Sequence, residues 1–149
     1  MCLSITFSWL MLAAPAFAGA GSSAVTHLAA ADVRAAFSRG APLHEVDAFK
    51  VHASRRDGAG EAEIHGRDTD VIYVLDGEAD FVTGGTVADA RTVAADELRG
   101  SRIDGGESRR LRQGDVIVVP NGVPHWFRAV PGPFVYYVVK VTANGGSSR

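Results

Sequence analysis

A chain of 149 residues with one cysteine, a formal charge of −2 and a sequence pI of about 6.2 has the size of one domain with a sizeable core. That balance excludes the basic excess of a nucleic-acid binder or of a protein held on an anionic membrane surface. The paired arginines, Arg55-Arg56 and Arg109-Arg110, read as solvated loop or strand-edge charge.

Residues Met1–Ala18 carry no charged side chain, are rich in large apolar residues and end Ala16-Phe17-Ala18, a small-x-small pattern before Gly19. This predicts a secretory signal peptide cut after Ala18, too short for a membrane span, and hence a periplasmic or secreted protein without a stable membrane anchor. The segment lacks the Lys or Arg usual near the start of such a signal. Cys2 lies inside it with no lipoprotein-type box before it, so the mature chain has no cysteine.

Gly19–Ala24 is a linker of small residues, and Leu28, Val33, Ala36 and Phe37 give Leu28–Arg39 a loosely helical spacing, stopped by Gly40 and Pro42. The domain plan is therefore linker and short helix over 19–42, a β-domain over 43–142 and a disordered Gly/Ser tail over 143–149. His27 and His44 read as surface or packing histidines. From Val46 to Ser54 the chain alternates, Phe49, Val51 and Ala53 against Lys50, His52 and Ser54, which predicts one or two half-buried strands with His52 on a polar face turned to water.

After a turn at Arg55–Gly60, strands are predicted at Glu61–His65, Val71–Leu75, Ala79–Thr83, Val116–Val119, His125–Val130 and Phe134–Val141. Short strands between Gly, Pro and Asp turns predict an all-β barrel or sandwich. The long connection between Gly77 and Gly114 owes its excess to residues 84–106. These are read as a structured loop with at most one helical turn, placed to cover the barrel or to meet a partner chain.

Two stretches carry chemistry. In Gly114-Asp-Val-Ile-Val-Val-Pro120-Asn-Gly122-Val-Pro-His125, turns bracket a buried strand and deliver a histidine at the mouth of a β-structure. In Glu63-Ile-His65, two possible ligands two residues apart share one face of a strand, followed at fixed offsets by Asp70 and Gly77.

Together these stretches resemble the two motifs of the cupin family, G-x5-P-x-G-x2-H-x3-N and H-x-H-x3–4-E-x6-G. Ala129 stands where the second has Asn, Glu63 where the first has its first His, and Asp70 where it has Glu. The resemblance implies a cupin double-stranded β-helix, a jelly-roll barrel, with a short N-terminal helix. It also implies Glu63, His65, Asp70 and His125 gathered inside around a divalent metal ion, with Fe, Mn, Zn, Ni or Cu all suited to the donors. Glu63, His65 and His125 alone form the 2-His-1-carboxylate set of non-heme iron oxygenases. Asp70 is one methylene shorter than Glu, and Asp68 competes for its place. A homodimer is implied by resemblance only.

For a substrate pocket, Tyr73, Phe81, Phe127 and Arg67 are the candidates. Phe127 shares the face of His125, whereas Trp126 faces away. Core packing is the commoner fate of aromatic residues at such spacing, and Arg67 is by default an exposed loop residue. The resulting expectation is an exported metal-binding cupin acting on a small polar organic molecule, with oxygenase, lyase, isomerase and decarboxylase chemistry all open. A non-catalytic metal- or ligand-binding module is the alternative.

Overall fold

The computed structural model describes residues 24–143. The predicted signal peptide, most of the linker and residues 144–149 of the predicted tail lie outside them. In chain order the elements are helix α1 (Ala30–Arg39), then the hairpin β1 (Ala41–Glu45) and β2 (Phe49–Arg56), β3 (Ala62–His65), β4 (Asp68–Asp76) and β5 (Glu78–Thr83). Next come β6 (Thr86–Ala88), β7 (Arg91–Ala94), β8 (Glu97–Gly100) and β9 (Arg102–Asp104), and finally β10 (Glu107–Arg112), β11 (Val116–Val119), β12 (His125–Ala129) and β13 (Phe134–Thr142).

Pairing is antiparallel throughout. One sheet runs β1-β2-β13-β4-β11, a second runs β10-β5-β12-β3-β8-β7, and β6-β9 form a two-stranded flap. The two large sheets face each other across a core of Ile72, Val74, Phe81, Phe127, Phe134 and Tyr136. Each strand alternates into and out of this core, so Ile72 and Val74 are buried while Tyr73 between them is 44% exposed. The architecture is the double-stranded β-helix with a short N-terminal helix that the motifs imply, and all six strands predicted from Glu61 onward are present within two or three residues of their predicted ends.

Three expectations need correction. Residues 84–106 hold no helical turn. β7 and β8 extend the six-stranded sheet beyond β3, and the β6-β9 flap packs Val87 and Ile103 against Ala62, Val82 and Trp126. Strands of three or four residues are too short to show a period, and Ala94-Ala95-Asp96-Glu97-Leu98 has helix-favouring composition although Asp96 turns the chain at φ 60°. Strand β1 begins at Ala41, inside the segment assigned to linker and helix; it is an edge strand, which is why it tolerates Pro42. Ala143, placed in the disordered tail, is tied to Arg67 by backbone and side-chain hydrogen bonds of 2.8 and 3.0 Å. Strand β10 (Glu-Ser-Arg-Arg-Leu-Arg), with only Leu111 buried, escaped prediction because it is a charged sheet edge.

Gly77 closes the turn from β4 to β5 at φ +81°, and a Cβ there would stand 2.2 Å from the Pro133 carbonyl oxygen. Gly77→Ala therefore combines a left-handed backbone with a clash against main chain. It is expected to cost about 2 kcal/mol or more of unfolding free energy in urea titration; a loss below about 0.5 kcal/mol would contradict the turn geometry.

Candidate metal centre and cavity

His125 opens β12 and lies opposite Glu63 of β3 and Thr83 of β5 in the sheet register. The turn before it is fastened to the loop after β3. Gly122 N–H donates to the His65 carbonyl at 2.8 Å, and the Asn121 side-chain amide donates to the Gly66 carbonyl at 3.1 Å. The second motif is thereby locked onto the first by main chain. Glu63 and His65, two apart on β3, point the same way, and one ligand atom from each of Glu63, His65 and His125 lies within 4.8 Å of the others.

The protonation of this trio suits a metal. His125 Nδ1 is 3.2 Å from the Val123 carbonyl, which can only accept, so Nδ1 carries the proton and Nε2 offers its lone pair. Burial lowers the His125 pKa, favouring the neutral ring. For Glu63, burial opposes charge, but the neighbouring His65 and the guanidinium charges of Arg99 and Arg56 outweigh it and hold the carboxyl at about 2. His65 Nε2 is buried 3.4 Å from Glu63 Oε2 and 3.6 Å from Asp70 Oδ2, yet it has no hydrogen-bond partner. An orphaned buried nitrogen costs about 1–3 kcal/mol. Two imidazoles and one ionised carboxylate aimed at a common point are a donor set that fits a divalent transition metal and would satisfy that nitrogen.

Asp70 is placed beside the trio but is otherwise engaged. Both its oxygens accept from Lys140 Nζ of β13, at 2.8 and 2.7 Å, and its Oδ2 stands 3.9 Å from His125 Nε2. Asp68 points elsewhere, bonded to Lys50 and to Thr142 at 2.8 and 2.7 Å.

A cavity of about 270 Å³ adjoins the trio, walled by Phe127, Tyr136 and Val138 and by the polar side chains of His52, Ser54 and Arg56. Of the four residues expected to line a pocket, Phe127 does so. Phe81 is fully buried beneath it, with ring centroids 4.6 Å from Phe127 and 6.0 Å from His125, and serves as core. Tyr73 is on the outer face, because parity along β4 counts from the inward Asp70 and puts position 73 outside. Arg67 borders a different pocket, with Lys50 and Thr142.

The residues that sequence reasoning missed are His52, Arg56, Arg99 and Lys140. The alternation in β2 was visible, but its polar face also lines the cavity through His52, Ser54 and Arg56; His52 pairs with the exposed Glu45 at 2.8 Å. Arg56 lies 4.4 Å over the Phe127 ring and donates to Tyr136 Oη at 3.1 Å. Arg99 arrives on β8, within the segment read as a loop.

A family model described as cupin matches residues 30–148. No curated protein matches at a significant level. Among solved structures, the cupin domain of Cnp3 from Schizosaccharomyces pombe is 14% identical at a TM-score of 0.50, over 69% of this chain and 59% of that one. The conserved SPY1581 protein from Streptococcus pyogenes is 19% identical at 0.50, over 71% and 75%. An uncharacterized double-stranded β-helix protein from Klebsiella pneumoniae is 20% identical at 0.48, over 70% and 76%. Identities this low speak for the fold alone, and it is the family match over four-fifths of the sequence, agreeing with the sheet order and with two motifs that converge on one centre, that decides the matter: the chain belongs to the cupin family.

Proposed function

We propose that this cupin holds one divalent transition-metal ion on Glu63, His65 and His125 and acts on a small polar organic molecule admitted to the adjoining cavity. The observation that carries this reading is the orphaned His65 Nε2, buried among a neutral imidazole and an ionised carboxylate. Asp70, engaged by Lys140, leaves the set at three protein ligands, the number that keeps positions open for water or substrate. A metal held by these residues would supply Lewis-acid polarisation of a substrate oxygen. The protein's own part is positional: Phe127 and Tyr136 wall the cavity, Arg56 and Arg99 set the charge on Glu63, and Val123 fixes the His125 tautomer.

Elemental analysis of protein purified without chelators or a metal-binding tag tests the reading. About one equivalent of iron, manganese, nickel, copper or zinc is expected. Protein that contains no metal and takes none up on incubation with these ions would overturn it.

A further inference from the structure

The 84–106 segment does more than extend a sheet. Its strand β8 is pinned on both sides, by β3 and by β7, and Gly100 next to Arg99 is packed so closely that a Cβ would stand 2.2 Å from the Ala88 carbonyl oxygen. This fixed strand delivers Arg99 to the cavity wall. On the other side Arg56 is equally built in: Phe127 lies beneath its guanidinium, Tyr136 Oη accepts from its Nε, and Gly60 provides space that a Cβ, 2.5 Å from Nη1, would fill. Both guanidinium groups approach the same atom, Glu63 Oε1, Arg99 at 3.4 Å and Arg56 at 3.5 Å. These contacts are looser than the roughly 2.7–2.9 Å of a charge-assisted hydrogen bond.

Charge decides what such a pair is for. Arg56, Arg99 and Lys140 line the cavity together with Glu61, Glu63 and Asp70, and Arg99 is paired besides with Glu97, so the fixed charges leave no positive excess. Glu61 is also bonded outward to Arg91 at 2.7 Å, and Asp70 is consumed by Lys140. A divalent ion on Glu63, His65 and His125 tips this balance by two positive charges in a partly buried space, where charges are weakly screened. Glu97 Oε1 accepts from Arg99 Nε and Nη2 at 3.0 and 2.6 Å and Tyr136 Oη accepts from Arg56 Nε, which orients both guanidiniums and leaves Arg99 Nη1 and Arg56 Nη2 turned to Glu63 at the cavity. The chemistry that complements two such donors beside a divalent ion is a carboxylate.

We propose that the cavity takes a small organic carboxylate, anchored between Arg56 and Arg99, with Arg99 contributed by the 84–106 insertion as a specificity-determining residue. This rests on the metal-centre reading above and names the substrate class for the same site.

The test is calorimetric titration of the zinc-loaded full chain with malonate and with its uncharged counterpart malonamide, for the unaltered protein, Arg99→Gln and Arg56→Gln, with zinc content measured in each. The expected result is binding of malonate in preference to malonamide. Either substitution should weaken malonate binding by about 10-fold or more, the worth of a charge-assisted hydrogen bond, while the arginine that remains keeps Glu63 ionised and zinc near one equivalent. A merely structural role for the arginines would not alter the discrimination between carboxylate and amide. Equal binding of the two probes, or unchanged malonate binding in both variants that retain zinc, overturns the carboxylate assignment and leaves the metal centre standing. Failure of the unaltered protein to take up zinc or any other divalent metal overturns the metal centre and this assignment with it. Should one variant not fold, the other gives the same reading, since the two arginines reach the cavity on different strands.

Discussion

His125→Ala abolishes stoichiometric metal binding while leaving a folded β-protein, and His65→Ala does the same. Each imidazole supplies one of three donor atoms that lie within 4.8 Å of each other, and no other His or Cys joins that group among the described residues. Loss of an outer-shell partner already costs a metal site about 10–100-fold in affinity, and loss of one of only three direct ligands costs more. The fold survives for different reasons at the two positions. At His65 no hydrogen bond of the buried Nε2 is lost, and Glu63, which loses a neighbour at 3.4 Å, keeps Arg99 and Arg56 beside it. His125 leaves the Val123 carbonyl without its 3.2 Å donor and opens space beside Phe81, a cost of about 1–3 kcal/mol. Metal content by mass spectrometry and far-ultraviolet circular dichroism are the readouts. Near-normal metal content in both variants would sink the site assignment.

In metal-free protein, Lys140→Met lowers stability by about 3–5 kcal/mol and the melting temperature by roughly 10–15 °C. Lys140 Nζ is the bidentate partner of Asp70, whose side chain is only 6% exposed, so removing the ammonium strands a carboxylate in the interior. The expected signature is in the double variant. Asp70→Asn with Lys140→Met removes the stranded charge and recovers most of the loss, because a buried ion pair contributes little beyond the cost of breaking it. A melting temperature within about 2 °C of the unaltered protein in Lys140→Met would show that the pair is not buried as described.

Much of this architecture was legible before any coordinates. Gly114, Pro120, Gly122 and His125 are spaced by turn mechanics, and the strand Val116–Val119 appears between them as predicted. Glu63 and His65 share a strand face by period alone. Tyr73 was misplaced although the information was present, because counting outward from Asp70 puts position 73 on the far side of the sheet. The face of β2 was misread for a deeper reason. Alternation separates two faces but does not say which looks inward, and the rule that polar residues face water fails where the interior holds a cavity. Arg99 and the Asp70–Lys140 pair were beyond reach of pattern: they depend on strands far apart in sequence becoming neighbours, a property of sheet order.

That order also governs how the chain reaches its native state. Strand β13 lies between β2 and β4, pairing Phe134 to Val141 with the first and Val135 to Thr142 with the second. Without it the β1-β2 hairpin and the β4-β11 pair are separate pieces of one sheet, and Asp70 has no counter-charge. Neighbours separated by some seventy to ninety positions, such as Phe134 and Arg56 or Val141 and Phe49, must find each other before the barrel closes. Such non-local pairing carries a loop-closure entropy that no local contact offsets beforehand, placing folding in the slow, millisecond-to-second range of β-barrels. Barrel closure thus waits for β13: a nascent polypeptide halted before Phe134 holds Glu63, His65 and His125 and still lacks the strand that joins the halves of its first sheet.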